Sequence, residues 1–386
     1  MKGFTNSLVY LNGGFYKKAV GIENGRIAYI GDDYSAITES LDKADFESYL
    51  VPGFIDEHIH GAGGSDAMDG TEKALKTISD TLVKEGTTSF LFTTMTASPE
   101  KTKASLAAAD GFIGKYNKQE ENGTVTGARP LGVHLEGPFV NPLKCGAQPE
   151  EFILEPKIGY LKDFLVKDGL VKMITVAPEL ADDGFIQYLK DKGITVSAGH
   201  TNATFEEFSA SVKEGVSCTT HTYNAMRAFT HRETGIIGGA FLTNVYNELI
   251  ADGIHVSYPA IRILFGMKSD KVILITDAMR AKGLSDGESE LGGQKVFVKN
   301  GEARLSDGTL AGSVLKMNVA IKNLVLKAGV PLETVIKSAT ENPAKNLKIF
   351  ENTGSIEIGK NADLTLLSKN FDVLSVMIGG KNVYKA

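Results

Sequence analysis

The 386-residue sequence has only two cysteines, Cys145 and Cys218, and therefore no disulfide framework. Basic residues are not in excess either, because the formal net charge is −6, which argues against a nucleic-acid-binding surface. No apolar run approaches the ~20 residues of a membrane helix, and the N-terminus lacks the apolar core of a signal peptide. These absences predict a protein of the reducing cytoplasm without membrane or nucleic-acid partners.

What the sequence does contain is a repeated pattern of strand, loop and helix that begins near Val51. Apolar and β-branched runs indicate the strands, and amphipathic runs separate most of them. Counting from Phe54 gives eight strands, which predicts a closed α/β barrel of the (β/α)8 type. An open doubly wound sheet requires a reversal of strand order that we cannot identify. After Phe54, the predicted strands lie at residues 87–94, 130–136, 171–176, 194–198, 218–222, 249–251 and 272–276.

The two ends of the chain differ from this repeat and consist of short β-rich runs. Asn24-Gly25 between two alternating apolar runs indicates a hairpin. Because chain termini often lie close together, we expect residues 1–50 and 350–386 to form one small β-sandwich domain beside a barrel at 51–349. Within the barrel region, the Gly-Gly and Asn-Gly pairs between short β runs predict a β-hairpin insertion near 286–305.

Histidines and carboxylates are concentrated at the ends of the predicted strands. His58 and His60 end the first strand, and residues two apart on an extended chain face the same side. An isolated pair of this kind is more often structural. The carboxyl ends of barrel strands, however, meet at one mouth, where active sites lie. Imidazoles and carboxylates gathered there predict a catalytic metal centre. The other strand-end candidates are Glu136, His200, His221, His255 and Asp277.

Five motifs, in order, carry a closer resemblance to a known family. The sequence resembles the N-acetylglucosamine-6-phosphate deacetylases of the amidohydrolase superfamily from its early hairpin to its terminal β segment. The resemblance implies a TIM-like metal-dependent hydrolase barrel with a β-sandwich built from both termini. The motifs are residues 134–139, 199–203, 221–226, 251–255 and 276–279.

The resemblance also implies a metal centre and a proton-transferring residue. Glu136, His200 and His221 would bind a divalent ion, zinc or iron. His58 and His60 would allow a second ion, although some family members lack this pair and work with one. A bound ion lowers the pKa of the attacking water. Asp277 would take a proton from that water and then deliver it to the leaving nitrogen.

The implied reaction is hydrolysis of N-acetylglucosamine 6-phosphate to glucosamine 6-phosphate and acetate, in amino-sugar catabolism and cell-wall sugar recycling. His255 would contact the sugar and the scissile acetyl group. Arg232 would bind the phosphate in the site of the neighbouring subunit, which implies a homodimer. The remaining substrate contacts would be Ala147, Asn224, Ala225, Leu310, Ala311 and Gly312.

One departure from the family and two alternatives remain. Gln148 stands where many members have a histidine, so a charge or metal role there is lost while a substrate hydrogen bond is retained. Another amidohydrolase, a cyclic amidase or a deaminase, is the first alternative. It commonly uses a carboxylated lysine that we do not find at a strand end. A non-catalytic barrel is the second, and it would have lost a metal ligand or Asp277.

Overall fold

The N-terminal residues form short strands of two sheets. The computed structural model describes residues 1–42 and 46–386. Asn24 and Gly25 have φ angles of 50° and 78° and connect two antiparallel strands, as the Asn-Gly pair predicts. The strands are β1 (Lys2–Phe4), β2 (Leu8–Leu11), β3 (Gly14–Lys17), β4 (Ala19–Glu23), β5 (Arg26–Gly31), β6 (Glu39–Ser40) and β7 (Ser48–Pro52).

Eight parallel strands then form the barrel, in the order β8-β11-β12-β13-β14-β15-β16-β17. β9 and β10 form a separate two-stranded ladder directly after the first of them. The bounds are β8 (Phe54–Ile59), β9 (Gly61–Ala62), β10 (Ser65–Asp66), β11 (Thr87–Thr93), β12 (Arg129–Glu136), β13 (Val171–Val176), β14 (Thr195–Ala198), β15 (Val216–Thr219), β16 (Tyr246–Ile250) and β17 (Val272–Ile275).

Hydrogen bonds between the first and last barrel strands close the sheet on itself. The backbone N–H of Asp277 donates to the carbonyl of His58 at 2.9 Å. The hydroxyl of Thr276 donates to Oδ2 of Asp56 at 2.6 Å, which satisfies a fully buried carboxylate. The (β/α)8 class predicted from the strand count is therefore confirmed.

Helices lie between successive barrel strands. Thr71 caps the first of them, and Leu75, Ile78 and Leu82 form its buried face at helical spacing. The sequence does not predict the sixth helix, because all of its residues are glycine or apolar and therefore give no periodic pattern. The bounds are α1 (Glu72–Leu82), α2 (Pro99–Asn122), α3 (Ile158–Leu161), α4 (Phe185–Asp191), α5 (Phe205–Glu214), α6 (Gly235–Leu242) and α7 (Tyr258–Lys268).

The segment after β17 forms a small antiparallel sheet and then returns to helix. Residues 286–305, predicted as a hairpin, hold three strands, because the turn at Asn300 and Gly301 adds a third one. A π-helical turn at Leu324–Ala328 extends the first helix of this part. The bounds are β18 (Gly287–Leu291), β19 (Gln294–Lys299), β20 (Glu302–Arg304), α8 (Met317–Asn323), α9 (Leu332–Ala339) and α10 (Glu341–Asn346).

The C-terminal strands join the N-terminal ones. β21 (Leu364–Ser368), β22 (Val373–Ile378) and β23 (Lys381–Lys385) belong to a six-stranded sheet in the order β23-β22-β21-β7-β2-β3. This sheet and the sheet of β1, β4, β5 and β6 bury a second hydrophobic core, to which Val9, Val20 and Leu364 contribute. Over the described residues, no helix combines the length and the apolar character needed to cross a membrane.

Candidate metal centre

Six polar side chains meet at the carboxyl ends of the barrel strands. They lie in the last two residues of β8 and β12 or follow β8, β14, β15 and β17 by one or two residues, and none is more than 8% exposed. These positions belong to five different strands, so only the closed barrel brings the side chains together. The residues are His58, His60, Glu136, His200, His221 and Asp277.

Three of the six leave their strands in an unusual backbone conformation. His200, His221 and Asp277 have φ angles of 47°, 31° and 46°. Non-glycine residues seldom adopt this left-handed region, and each such residue costs about 1–3 kcal/mol. Here it turns the chain sharply at the strand end, where all three side chains line one cavity.

The carboxylate of Glu136 lies at the centre of the cluster. Its Oε1 atom is 3.1 Å from Nε2 of His221, 3.3 Å from Nε2 of His200 and 3.4 Å from Nε2 of His58. Its Oε2 atom is 3.3 Å from Nε2 of His60. One carboxylate therefore faces both histidine pairs.

The spacing fits metal ligation. Ligand atoms that lie 2.0–2.1 Å from one tetrahedral ion are about 3.3 Å from one another. Glu136, His200 and His221 meet this requirement, because their ligand atoms are 3.1–3.3 Å apart. His58, His60 and Glu136 form a second buried group, whose ligand atoms lie within 4.8 Å of one another. Asp277 lies next to His58 and His60, because its Oδ1 atom is 3.3 Å from Nε2 of His60.

Hydrogen bonds at the far ring nitrogens orient two of the histidines. Nδ1 of His58 is 3.0 Å from Oε2 of Glu248, and Nδ1 of His200 is 2.8 Å from the carbonyl of Lys144. Both Nδ1 atoms donate, because their partners can only accept, so the Nε2 atoms are the ones that face Glu136 and are available to bind a metal. Nε2 of His58 is buried and has no hydrogen-bond partner within the described residues, which is expected of an atom that binds a metal ion.

The cluster is electrostatically coupled. Burial lowers the pKa of His58, but the carboxylates of Glu248, Glu136 and Asp277 outweigh this effect and raise it to about 9. Burial raises the pKa of Asp277, but His58 and His60 outweigh it and lower that pKa to about 2. In the metal-free protein, imidazoles of the cluster are therefore protonated, and binding of a metal ion would release these protons.

A cavity of about 350 Å³ opens above this cluster. Five of the predicted substrate residues line it together with His255: Ala147, Asn224, Ala225, Leu310 and Gly312. Nδ1 of His255 is 2.6 Å from Asp252, which fixes the ring. The lining also includes residues that the sequence analysis did not single out: Met95, Leu143, Gly146, Leu291 and Thr309.

Two predicted substrate residues lie outside the cavity lining. Ala311 is fully buried, and its N–H donates to the carbonyl of Ala303 at 3.0 Å. The lining here is provided by Leu310 and Gly312 on either side of it. Arg232 is exposed and does not reach the cavity of its own chain.

Gln148 lines the cavity and also contacts the carboxylate of Glu136, and its hydrogen bond to the substrate stays a prediction. Its Nε2 atom donates to Oε2 of Glu136 at 2.8 Å, and its Oε1 atom accepts from the N–H of Thr96 at 2.7 Å. The amide thus links the loop after β12 to the loop after β11. His134 lies beneath the site, with its ring centroid 4.6 Å from that of His58.

Glu248 is a residue of the site that the sequence did not predict. This residue of β16 is fully buried and contacts His58, yet no motif surrounds it. One feature of the sequence does mark it, because Glu248 is a charged residue directly before the apolar residues Leu249 and Ile250 of the same strand. Buried charges of this kind are rare unless they are paired.

Comparisons with known proteins identify the family of this chain. A model of the amidohydrolase family matches residues 49–383. An N-acetylglucosamine-6-phosphate deacetylase from Bacillus subtilis (strain 168) is 43% identical over 367 residues, which cover 94% of this chain and 91% of that protein. An N-acetylgalactosamine-6-phosphate deacetylase from Escherichia coli O157:H7 is 33% identical over 365 residues, which cover 93% of each.

Solved structures give the same result. The N-acetylglucosamine-6-phosphate deacetylase from Pasteurella multocida has a TM-score of 0.92 and 31% identity, and the alignment covers 100% of both chains. A mutant of the Mycobacterium smegmatis enzyme in complex with N-acetyl-D-glucosamine-6-phosphate has a TM-score of 0.87 and 29% identity, again over 100% of both chains. This chain therefore belongs to the amidohydrolase family and, within it, to the N-acetylglucosamine-6-phosphate deacetylases.

Proposed function

We propose that this protein hydrolyses N-acetylglucosamine 6-phosphate to glucosamine 6-phosphate and acetate, in cytoplasmic amino-sugar catabolism and cell-wall sugar recycling. The observation that carries the proposal is the convergence of Glu136 with two histidine pairs and Asp277 at one cavity. The names of the relatives supply the substrate class. The other amidohydrolase reactions and the non-catalytic barrel have no comparable support.

The first part of the proposal concerns the metal. Glu136, His200 and His221 would hold one divalent ion, zinc or iron, and His58 and His60 would hold a second one together with Glu136. The separations of 3.1–3.4 Å around Glu136 support both assignments. When bound, such an ion lowers the pKa of a water molecule towards ~7 and polarises the acetyl carbonyl.

Asp277 is the proposed proton carrier. Its lowered pKa keeps the carboxylate ionised at neutral pH, so it can accept a proton from the attacking water. The same proton then goes to the nitrogen as the C–N bond breaks, so the sugar leaves as a neutral amine and the acetyl group as acetic acid, which gives its own proton to the solvent to become acetate. One side chain serves both steps because it lines the cavity next to His60.

His255 and Arg232 are the proposed anchors of the substrate. Asp252 holds Nδ1 of His255 and leaves Nε2 for the sugar and the acetyl group. Arg232 is exposed and outside its own cavity, which agrees with a role in the site of a second subunit of a homodimer. A guanidinium can bind a phosphate through two parallel hydrogen bonds.

The test is acetate release by protein loaded with zinc, iron or manganese. We expect turnover of N-acetylglucosamine 6-phosphate. For N-acetylglucosamine we expect kcat/KM to be about 10–100-fold lower, because one or two charge-assisted hydrogen bonds are lost. No acetate with any of the three ions would contradict the proposal. N-acetylgalactosamine 6-phosphate is the comparison substrate, because one relative is named for it. A preference for this sugar would reassign the substrate.

A further inference from the structure

A fully buried carboxylate lies directly behind the metal site. Glu248 is 0% exposed, and its Oε2 atom accepts a hydrogen bond from Nδ1 of His58 at 3.0 Å. The same oxygen accepts a second bond from the backbone N–H of His221, also at 3.0 Å. One oxygen atom thus contacts one candidate ligand from each half of the centre.

We propose that Glu248 is a positioning residue that sets the metal affinity of both halves at once. The inference rests on the metal centre of the proposed function and is independent of its substrate. A carboxylate that accepts from the far nitrogen of a ligating histidine fixes the tautomer and the ring orientation and raises the basicity of the ligand. For His58, this directs Nε2 at Glu136 and Asp277.

The contact with His221 acts through the backbone. His221 has a φ angle of 31°, and its Nδ1 atom has no hydrogen-bond partner among the described residues. The position of its ring therefore depends on the main chain. Glu248 holds this main chain at two points: its side chain accepts from the N–H of His221, and its backbone carbonyl accepts from the N–H of Thr222 at 2.8 Å. Nε2 of His221 is then 3.1 Å from Oε1 of Glu136.

A purely structural role does not explain this carboxylate. Burying a polar carboxyl side chain away from water is costly, and an apolar residue of similar volume often stabilises a core as well or better. The Oε1 atom of Glu248 has no hydrogen-bond partner within the described residues. Both hydrogen bonds that its Oε2 atom accepts come from candidate metal ligands, and its other side-chain neighbour is the carboxyl group of Glu57, whose pKa is raised by burial and by Glu248. The orienting effect of Glu248 is therefore exerted on the metal centre.

The test compares two isosteric substitutions, Glu248→Gln and Glu57→Gln. Glu57 is a matched control, because it is also a fully buried glutamate, and its side chain contacts Asn346 and Glu248 but no candidate ligand. Burial and Glu248 raise the pKa of Glu57 well above its usual value, so glutamine replaces a neutral carboxyl group there. Metal-free proteins would be titrated with Zn²⁺ against a competing chelator. We expect Glu248→Gln to weaken both Zn²⁺ sites about 10–100-fold and Glu57→Gln to leave them unchanged. The visible spectrum of the Co²⁺-loaded protein should shift in Glu248→Gln only.

Wild-type affinity and a wild-type Co²⁺ spectrum in Glu248→Gln would overturn the proposal. Equal weakening in both variants would overturn it too, because any buried carboxylate would then have the same effect. If Glu248→Gln does not fold, ¹⁵N spectra of histidine-labelled, zinc-loaded wild-type protein decide: protonated Nδ1 at His58 supports the proposal, and metal bound through Nδ1 refutes it. Failure of the substrate proposal is distinguishable, because these measurements need no turnover.

Discussion

At the scale of single residues, the centre combines strained backbone with mutually neutralising charges. His200, His221 and Asp277 hold left-handed conformations, and the carboxylates and imidazoles shift each other's pKa values. Strain at a functional site persists only when the surrounding structure fixes it. The N–H of Asp277 donates to the carbonyl of His58, the N–H of His221 donates to Glu248, and the carbonyl of His200 accepts from the N–H of Asn141, so each strained residue is held by a long-range hydrogen bond.

Asp277→Asn removes the proposed proton carrier without changing the size of the side chain. We expect kcat to fall about 10²–10⁴-fold, the usual contribution of general acid–base catalysis, because the amide cannot accept the proton of water. Metal content should stay near the wild-type value, since Glu136 and the four histidines remain. Acetate release and elemental analysis measure the two effects. A near-normal kcat would exclude the role of Asp277.

The raised pKa of His58 predicts how the metal-free protein responds to pH. The folded state binds the proton more tightly than the unfolded chain, so the contribution to stability is complete below pH 6.5 and is lost as the pH rises through about 9. The shift corresponds to about 3 kcal/mol of unfolding free energy. Denaturant unfolding of metal-free protein at pH 6.5 and pH 9.5 measures it. His58→Gln is the control and should reduce the difference, while His60 retains its own part, because burial lowers the pKa of His60 but the carboxylates of Asp277 and Glu136 outweigh this effect and raise it. An unchanged difference in the His58→Gln variant would refute the assignment.

At the scale of elements, the loop after β12 is held against the metal site. Gln148 bridges Thr96 and Glu136, and the carbonyl of Lys144 accepts from His200. The loop and the two ligands therefore move together. Sequence alone predicted the strand ends on either side of this loop, but not the direction of the Gln148 side chain, which depends on two long-range contacts.

Two substitutions of Gln148 separate its hydrogen bonds from its size. Gln148→Leu leaves the buried N–H of Thr96 without an acceptor and should lower the unfolding free energy by about 1–3 kcal/mol. It should also weaken zinc binding, because Glu136 loses a donor that orients it. Gln148→His can accept from Thr96 and donate to Glu136, so it should restore most of both properties. Chelator competition and denaturant unfolding measure them; a leucine variant equal to wild type would show that the bridge is dispensable.

A buried ion pair fixes the segment that follows Asp277. Lys282 is fully buried, and its Nζ atom is 2.7 Å from Oε2 of Glu85. Lys282→Met leaves Glu85 unpaired and should lower the unfolding free energy by about 3–5 kcal/mol. The double variant Lys282→Met with Glu85→Leu should recover much of this loss, because no buried charge remains. Thermal unfolding of the four proteins tests the cycle, and strictly additive effects would exclude the pairing.

At the scale of the whole molecule, the sequence predicts most of the architecture for a physical reason. Parallel barrel strands are continuous apolar runs, and polar residues appear where each run ends, so the strand-end positions of Glu136 and Asp277 follow from the sequence pattern. The position of Glu248 does not, because a single charge inside a strand carries no periodicity. The third strand of the insertion and the buried position of Ala311 also depend on contacts distant in sequence.

The proposed homodimer makes a prediction that involves two subunits. Arg232→Ala should raise KM for N-acetylglucosamine 6-phosphate about 10–100-fold without changing metal content, because a charge-assisted phosphate contact is lost. Mixed dimers of Arg232→Ala and Asp277→Asn subunits should regain one normal site, since the arginine and the aspartate of that site then come from different chains. Mixing after partial denaturation and refolding tests this. Dimers without recovered activity would place Arg232 outside the neighbouring site.

The central claim is that the cluster around Glu136 is a metal centre that removes the acetyl group from N-acetylglucosamine 6-phosphate. The most direct measurement is an anaerobic titration of metal-free protein with Zn²⁺ or Fe²⁺ while acetate release from this substrate is followed. Deacetylation should rise in step with metal occupancy, and occupancy should reach two ions per subunit in the wild type and one in the His58→Ala/His60→Ala variant. Full metal loading without acetate, or acetate release without metal, would contradict the claim.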